Sequence, residues 1–183
     1  MNRKEDIDAR VETLQEELEE LKKQRERIEK PITERIKTFT DAVDELGSEH
    51  PLVRQYMAAA NGNESFTRNT IAYIKLQIVA AALNEGWFPY LQRKEKRWYP
   101  YYKIYAGDEI DDISPDATYL FGASCGLAYV SSSVAWSLAF SGISARLAVK
   151  SEEISDYFGN QFIDIWAEYL LGGCEIEKHD TDV

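Results

Sequence analysis

The sequence predicts an α+β protein: a coiled-coil helix at the N-terminus, a helical first half, a small antiparallel β-sheet, and a C-terminal helix packed on the sheet. Three observations carry this expectation. Apolar residues recur at steps of three and four from Ile7 to Leu83. From Trp87 that spacing gives way to β-formers, glycines and turn residues. The helical spacing then returns once, from Ile154 to Tyr169. Helices followed by strands and a closing helix make the α+β class.

The first stripe is the most regular. Ile7, Val11, Leu14, Leu18, Leu21, Arg25 and Ile28 follow at steps of 4, 3, 4, 3, 4 and 3. Val11 and Leu18 take the a positions of a heptad, and Ile7, Leu14, Leu21 and Ile28 the d positions. Nearly everything between them is Glu, Lys, Arg or Gln. A stripe this narrow has nothing of its own to bury it, so residues 7–28 are expected to pair with further copies of the chain. Arg25 at an a position would cost stability and help to select the oligomer state. Pro31 ends this helix or opens the next, because proline is accepted in a first turn and not in an interior. The expected domains are a coiled-coil oligomerisation helix over 1–30, a compact α+β domain over 31–173, and a flexible polar tail over 174–183.

Beyond Pro31 the stripe Ile32, Ile36, Phe39, Val43 and Leu46 predicts one helix that stops at Gly47. A turn over 48–51 precedes a short helix, Leu52 to Ala60, closed by Asn61-Gly62-Asn63. The next helix takes Ser65 or Thr67 as its N-cap and carries a wide apolar face from Ile71 to Leu83. It is expected to be the most deeply buried helix and to stop at Gly86. Trp98 to Tyr105 reads as a strand, with Pro100 placing it at an edge or a bulge. Two tightly joined strands follow, Tyr119 to Ser133 and Val134 to Phe140. Ile143 to Lys150 alternates most cleanly and is expected to be a further strand. Ser151-Glu152-Glu153 then caps the last helix.

Composition narrows the function. A net charge of −11 and a pI near 4.7 disfavour nucleic acid and anionic membranes as partners, since both are polyanions. No apolar run approaches the ~20 residues a membrane span needs, and the charged start does not resemble a secretory leader. The chain is therefore expected to be soluble and to stay where it is made. Cys125 and Cys174 form neither a metal spacing nor a disulfide framework. His50 and His179 stand apart, the acidic run Asp108 to Asp116 does not match a calcium loop, and GASCG lacks the lysine of a phosphate-binding loop. No catalytic role, metal or cofactor is therefore expected.

The exception to the acidic background is Trp87 to Tyr105, where Trp, Phe and Tyr are interleaved with Arg93, Lys94, Lys96, Arg97 and Lys103. It divides into a helix exit (Trp87 to Tyr90), a charged crossing (Gln92 to Arg97) and an edge strand (Trp98 to Tyr105). Flat rings stack on planar ligands, and cations pair with phosphate or carboxylate. Taken with the polar face of Ile143 to Lys150, the candidate ligand-binding set is Arg97, Tyr99, Tyr102, Lys103, Arg146 and Lys150. The other reading of the same residues is a core or a subunit interface, with the cations keeping an edge strand soluble.

Four phrases carry a family likeness: ERIKTFTDAVDELG (34–47), AALNEGWFPY (81–90), RWYPYY (97–102) and SARLAVKSEEISDYFGNQFIDIWAEYLL (144–171). Together they resemble a family of small proteins common in gut-bacterial phages, prophages and mobile elements. The chain departs from that pattern at Ser144-Ala145, where Gly-Ser is usual, and at Ala148, where a larger residue is usual. The resemblance implies a viral or mobile-element origin and brings no reaction with it. The expectation is a homo-oligomeric, non-enzymatic phage-type protein that binds a small anionic ligand or a host protein. The alternative is a structural or accessory virion protein, and the location that the resemblance implies is the host cytoplasm, with association to a virion as the alternative.

Overall fold

The computed structural model describes residues 3–61, 66–88, 95–106, 118–121, 125–135 and 145–172. The chain divides into two compact units, Met1–Arg35 and Ile36–Val183. The first holds α1 (Arg3–Glu29) and the single-turn α2 (Ile32–Arg35). Pro31 opens that turn, its carbonyl accepting from the N–H groups of Glu34 and Arg35 at 2.9 and 3.2 Å. Along α1 the apolar stripe lies open, from 47% exposed at Val11 to 70% at Ile28. Arg25 turns to Glu29, one helical turn away at 3.0 Å, which is a solvated pair that contributes little.

The second unit begins with helices. The predicted single helix over 32–46 is interrupted, and α3 runs only over Phe39–Leu46. The cause is local: Thr38 accepts from the Asp41 N–H at 3.2 Å, while the Asp41 carboxylate takes the N–H groups of Thr38 and Lys37 at 2.9 and 3.0 Å. This reciprocal capping starts a new helix in mid-stripe. Next, α4 (Pro51–Ala60) opens with proline in its first turn and His50 as its cap. In α5 (Arg68–Leu83), Leu76, Ile78, Val79, Ala80 and Leu83 are all buried, so it is covered on every side, as its wide apolar face predicts. It packs against α3, α4 and the last helix, α7 (Ile163–Leu171).

The sheet is antiparallel with strand order β1-β3-β2, where β1 is Arg97–Ala106, β2 is Thr118–Phe121 and β3 is Cys125–Ala135. The register of β1 on β3 shifts between Tyr101 and Tyr102, which face Ser131 and Tyr129 and leave Val130 as the extra residue of a bulge. Tyr129 and Ser132, three apart, thereby reach the same face as Pro100 and Tyr102. That face carries α6 (Glu152–Gln161), which packs on β1 and β3. Tyr102, Phe158 and Trp166 meet there, with ring centroids 5.1 to 5.4 Å apart. Cys125, in β3, is buried.

Three strand expectations are corrected. Tyr119 to Ser133 is not one strand, since Tyr119 belongs to β2 and Ser133 to β3, and these two pair antiparallel. Val134 does not open a separate strand; it continues β3 opposite Trp98, and the rest of that expected strand, 136–140, lies outside the described residues. Of the expected strand Ile143 to Lys150, residues 143 and 144 lie outside the described residues, and 145–150 do not form a strand. Ala145–Leu147 form a 3₁₀ turn, and only Val149 bridges Trp98. The reason sits in β1. The Trp98 N–H points to the outer edge, where it meets Val149 O at 3.1 Å. The next outward-facing position is Pro100, which has no N–H to extend the ladder. The closing helix also differs: it splits at Phe162 into α6 and α7.

α6 lies so close to the sheet that a Cβ on Gly159 would fall 2.6 and 2.7 Å from the Tyr129 ring and 2.8 Å from Pro100 Cβ. Gly159→Ala therefore forces helix and sheet apart. A loss of about 1–3 kcal/mol is expected, as for other overpacked cores, read as a lower denaturant midpoint. An unchanged midpoint would show that the helix stands further off.

Candidate functional site

The chain leaves α5 through Asn84, Glu85 and Gly86, the last two at φ of 49° and 81°. Asn84 is 5% exposed, and its side chain is fully used. Its Nδ2 donates to Ala148 O at 2.9 Å, and its Oδ1 accepts from the Lys150 N–H at 3.0 Å. The backbone groups of Val149, between them, bond Trp98 on the opposite side. In extended backbone, neighbouring residues present their N–H and C=O groups to alternate edges. The Asn84 carboxamide thus takes the place of the N–H and C=O of one residue of a neighbouring strand, and it fixes 148–150 between α5 and β1.

That fixing shapes a cleft of about 550 Å³, within the range of small-molecule sites. Its lining comes from four places in the sequence: Leu46 from α3, His50 and Leu52 from the start of α4, Gln77 to Phe88 from α5 and its exit, and Arg146 with Ala148. Trp87 is half-buried, whereas Phe88 is 67% exposed. Among the described lining residues Arg146 is the one with a permanent charge, and none of them carries a carboxylate. His50 Nδ1 accepts the Leu52 N–H at 3.3 Å, so the neutral ring carries its proton on Nε2. Gln77 is 6% exposed and lines the same cleft.

The six residues singled out from the sequence are scattered. Only Arg146, exposed on the 3₁₀ turn, lines the cleft. Lys150 stands nearby with its Nζ 2.6 Å from Glu85. Arg97, Tyr99 and Lys103 lie on the β1 face turned away from α6. Arg97 is 3% exposed there, and Lys103 sits 4.4 Å over the Tyr105 ring. Tyr102 belongs to the core, where its hydroxyl donates to Gly159 O at 2.9 Å. Conversely Trp87 and Phe88, taken from sequence as a mere helix exit, form the aromatic wall. Gln77, Asn84 and His50 carried no motif that could have singled them out.

Among the described residues, no His, Cys, Asp and Glu group could hold a metal ion, and no helix is long and apolar enough to cross a membrane. No family model, curated protein or solved structure matches the chain.

A second polar cluster lies where α6 meets the sheet. The Asp156 carboxylate accepts from the Tyr129 hydroxyl and from Ser132 Oγ at 2.7 Å. Burial, and then this bond to a carboxylate, push the Tyr129 hydroxyl up to about 12. Burial drives Tyr102 higher still. In the unfolded chain both ionise near 10. Between pH 10 and 12 the unfolded state therefore binds fewer protons than the folded one, and stability falls as pH rises through that window. Below pH 10 neither group changes it. Denaturant midpoints measured from pH 8 to 12 should show the fall, with a shallower slope in Tyr129→Phe; equal slopes would contradict the assignment.

Proposed function

We propose that this is a phage-type, homo-oligomeric binding protein, without catalytic activity, that sequesters a small anionic, nucleotide-like ligand in the cleft at the end of α5. The observation that carries the reading is the cleft's described lining: Trp87 and Phe88 beside the guanidinium of Arg146, with no carboxylate among the described residues, in a chain of net charge −11. Screening over ~8 Å lets a local cation act independently of the distant acidic field. A planar guanidinium pairs with phosphate through two parallel hydrogen bonds, and the aromatic wall suits a flat ring. The phage setting rests on the family likeness of residues 34–47, 81–90, 97–102 and 144–171. In that setting, withholding a nucleotide signal from a host defence system gives such binding a purpose. The exposed stripe of α1 supports assembly with further copies through residues 7–28.

The second reading, a structural or accessory virion protein, draws on Tyr101 and Val130. Both are more than half exposed beside the bulge, as apolar groups awaiting a subunit interface would be.

Two measurements separate these readings. Purified protein should gain thermal stability with nucleoside monophosphates, and Arg146→Ala should abolish that gain while changing the unliganded stability by less than about 0.5 kcal/mol, as expected at an exposed site. If the variant instead unfolds or dissociates the assembly, the interface reading wins. Removing residues 1–30 should lower the number of subunits seen by light scattering, and an unchanged number would defeat assembly through α1.

A further inference from the structure

Gln77 lies on the face of α5 that also carries Ala81 and Asn84, four and seven residues on, and all three line the cleft. Their polar groups have different fates. Asn84 uses both side-chain atoms on Ala148 and Lys150, and His50 uses Nδ1 on the start of α4. The Gln77 carboxamide has no hydrogen-bond partner among the described residues, although the residue is only 6% exposed. Its Oε1 and Nε2 are not among the fully enclosed side-chain atoms that lack a hydrogen bond, so water reaches them through the cleft that Gln77 lines, and a ligand that displaces this water must replace its hydrogen bonds. The amide is thus better explained by what enters the cleft than by what surrounds it.

We infer that Gln77 is the specificity determinant of the cleft, pairing with the hydrogen-bonding edge of a nucleobase while Arg146 holds the anion. The inference rests on the small-anion reading of the cleft given above. A carboxamide offers one acceptor, Oε1, beside one donor group, Nε2. Every nucleobase presents an adjacent donor and acceptor on one edge, and the amide can turn over to match either order. The selection is therefore for a base as a class, against a plain aromatic ring bearing the same charge. Trp87 and Phe88 supply stacking surface that any flat ring could use, so they do not select. Among the described groups lining the cleft, the Gln77 amide is the one that offers a donor beside an acceptor to that edge, which an aryl phosphate lacks.

Isothermal titration of the full chain with AMP, UMP, phenyl phosphate and ribose 5-phosphate tests this. Both nucleotides should bind at least about tenfold more tightly than phenyl phosphate, the worth of two modest hydrogen bonds, and more tightly than ribose 5-phosphate. Gln77→Met should bring nucleotides and phenyl phosphate to within about twofold by weakening the nucleotides, with an unliganded melting temperature equal to or above that of the wild type. Phenyl phosphate or ribose 5-phosphate binding as tightly as the nucleotides would overturn the inference. So would a nucleotide preference that survives in Gln77→Met, or a lowered melting temperature, which would reveal a structural partner for the amide. If none of the four ligands binds the wild type, the anion reading falls and this inference with it. A preference that persists in Gln77→Met sinks this inference alone.

Discussion

The cleft depends on one buried side chain, Asn84, standing in for a strand. Its carboxamide closes the Ala148 carbonyl and the Lys150 N–H, while Trp98 closes both backbone groups of Val149 on the other side. Leaving such groups unpaired in the interior would cost about 1–3 kcal/mol each. The pairing therefore decides where the segment from Ala148 to Lys150 lies, and with it the position of Arg146 immediately before. It also joins the two halves of the fold, since Asn84 caps the central helix and Trp98 belongs to the edge strand. The nearby Lys150–Glu85 pair, at 2.6 Å, is partly solvated and adds less.

Aromatic residues serve two separate purposes, and position on the fold sorts them. Tyr102, Phe158 and Trp166 interlock between sheet and helix, where burial holds the Tyr102 hydroxyl neutral. Gly159 allows that interlocking by admitting the Tyr129 ring and Pro100 against the backbone of α6. Trp87 and Phe88 leave the same aromatic-rich stretch before it turns into β1, and they meet the cleft instead. The basic character of the stretch likewise disperses: Arg97 is buried and Lys103 rests over Tyr105. One cation from elsewhere in the chain, Arg146, lines the cleft.

Local patterns in the sequence were enough for α4 and α5, for the strand from Trp98 to Tyr105, and for the serine cap of α6, because each depends on neighbours within one or two turns. The failures have a local cause that was visible but needed its partner to be read. Thr38 and Asp41 are an ordinary pair until they cap each other and split a continuous stripe. Alternation from Ile143 to Lys150 implies a strand only if a neighbour can pair with it, and Pro100 denies the second rung. The cleft was not legible at all, since it joins residues near 50, 80 and 147. Which polar groups face it, and which are consumed by backbone, as Asn84 is, depends on distances that the order of residues does not contain. The sequence alone determined that an acidic α+β chain carries unusual aromatic and basic groups; only the folded arrangement decided that Trp87, Phe88, Gln77 and Arg146 share one cavity.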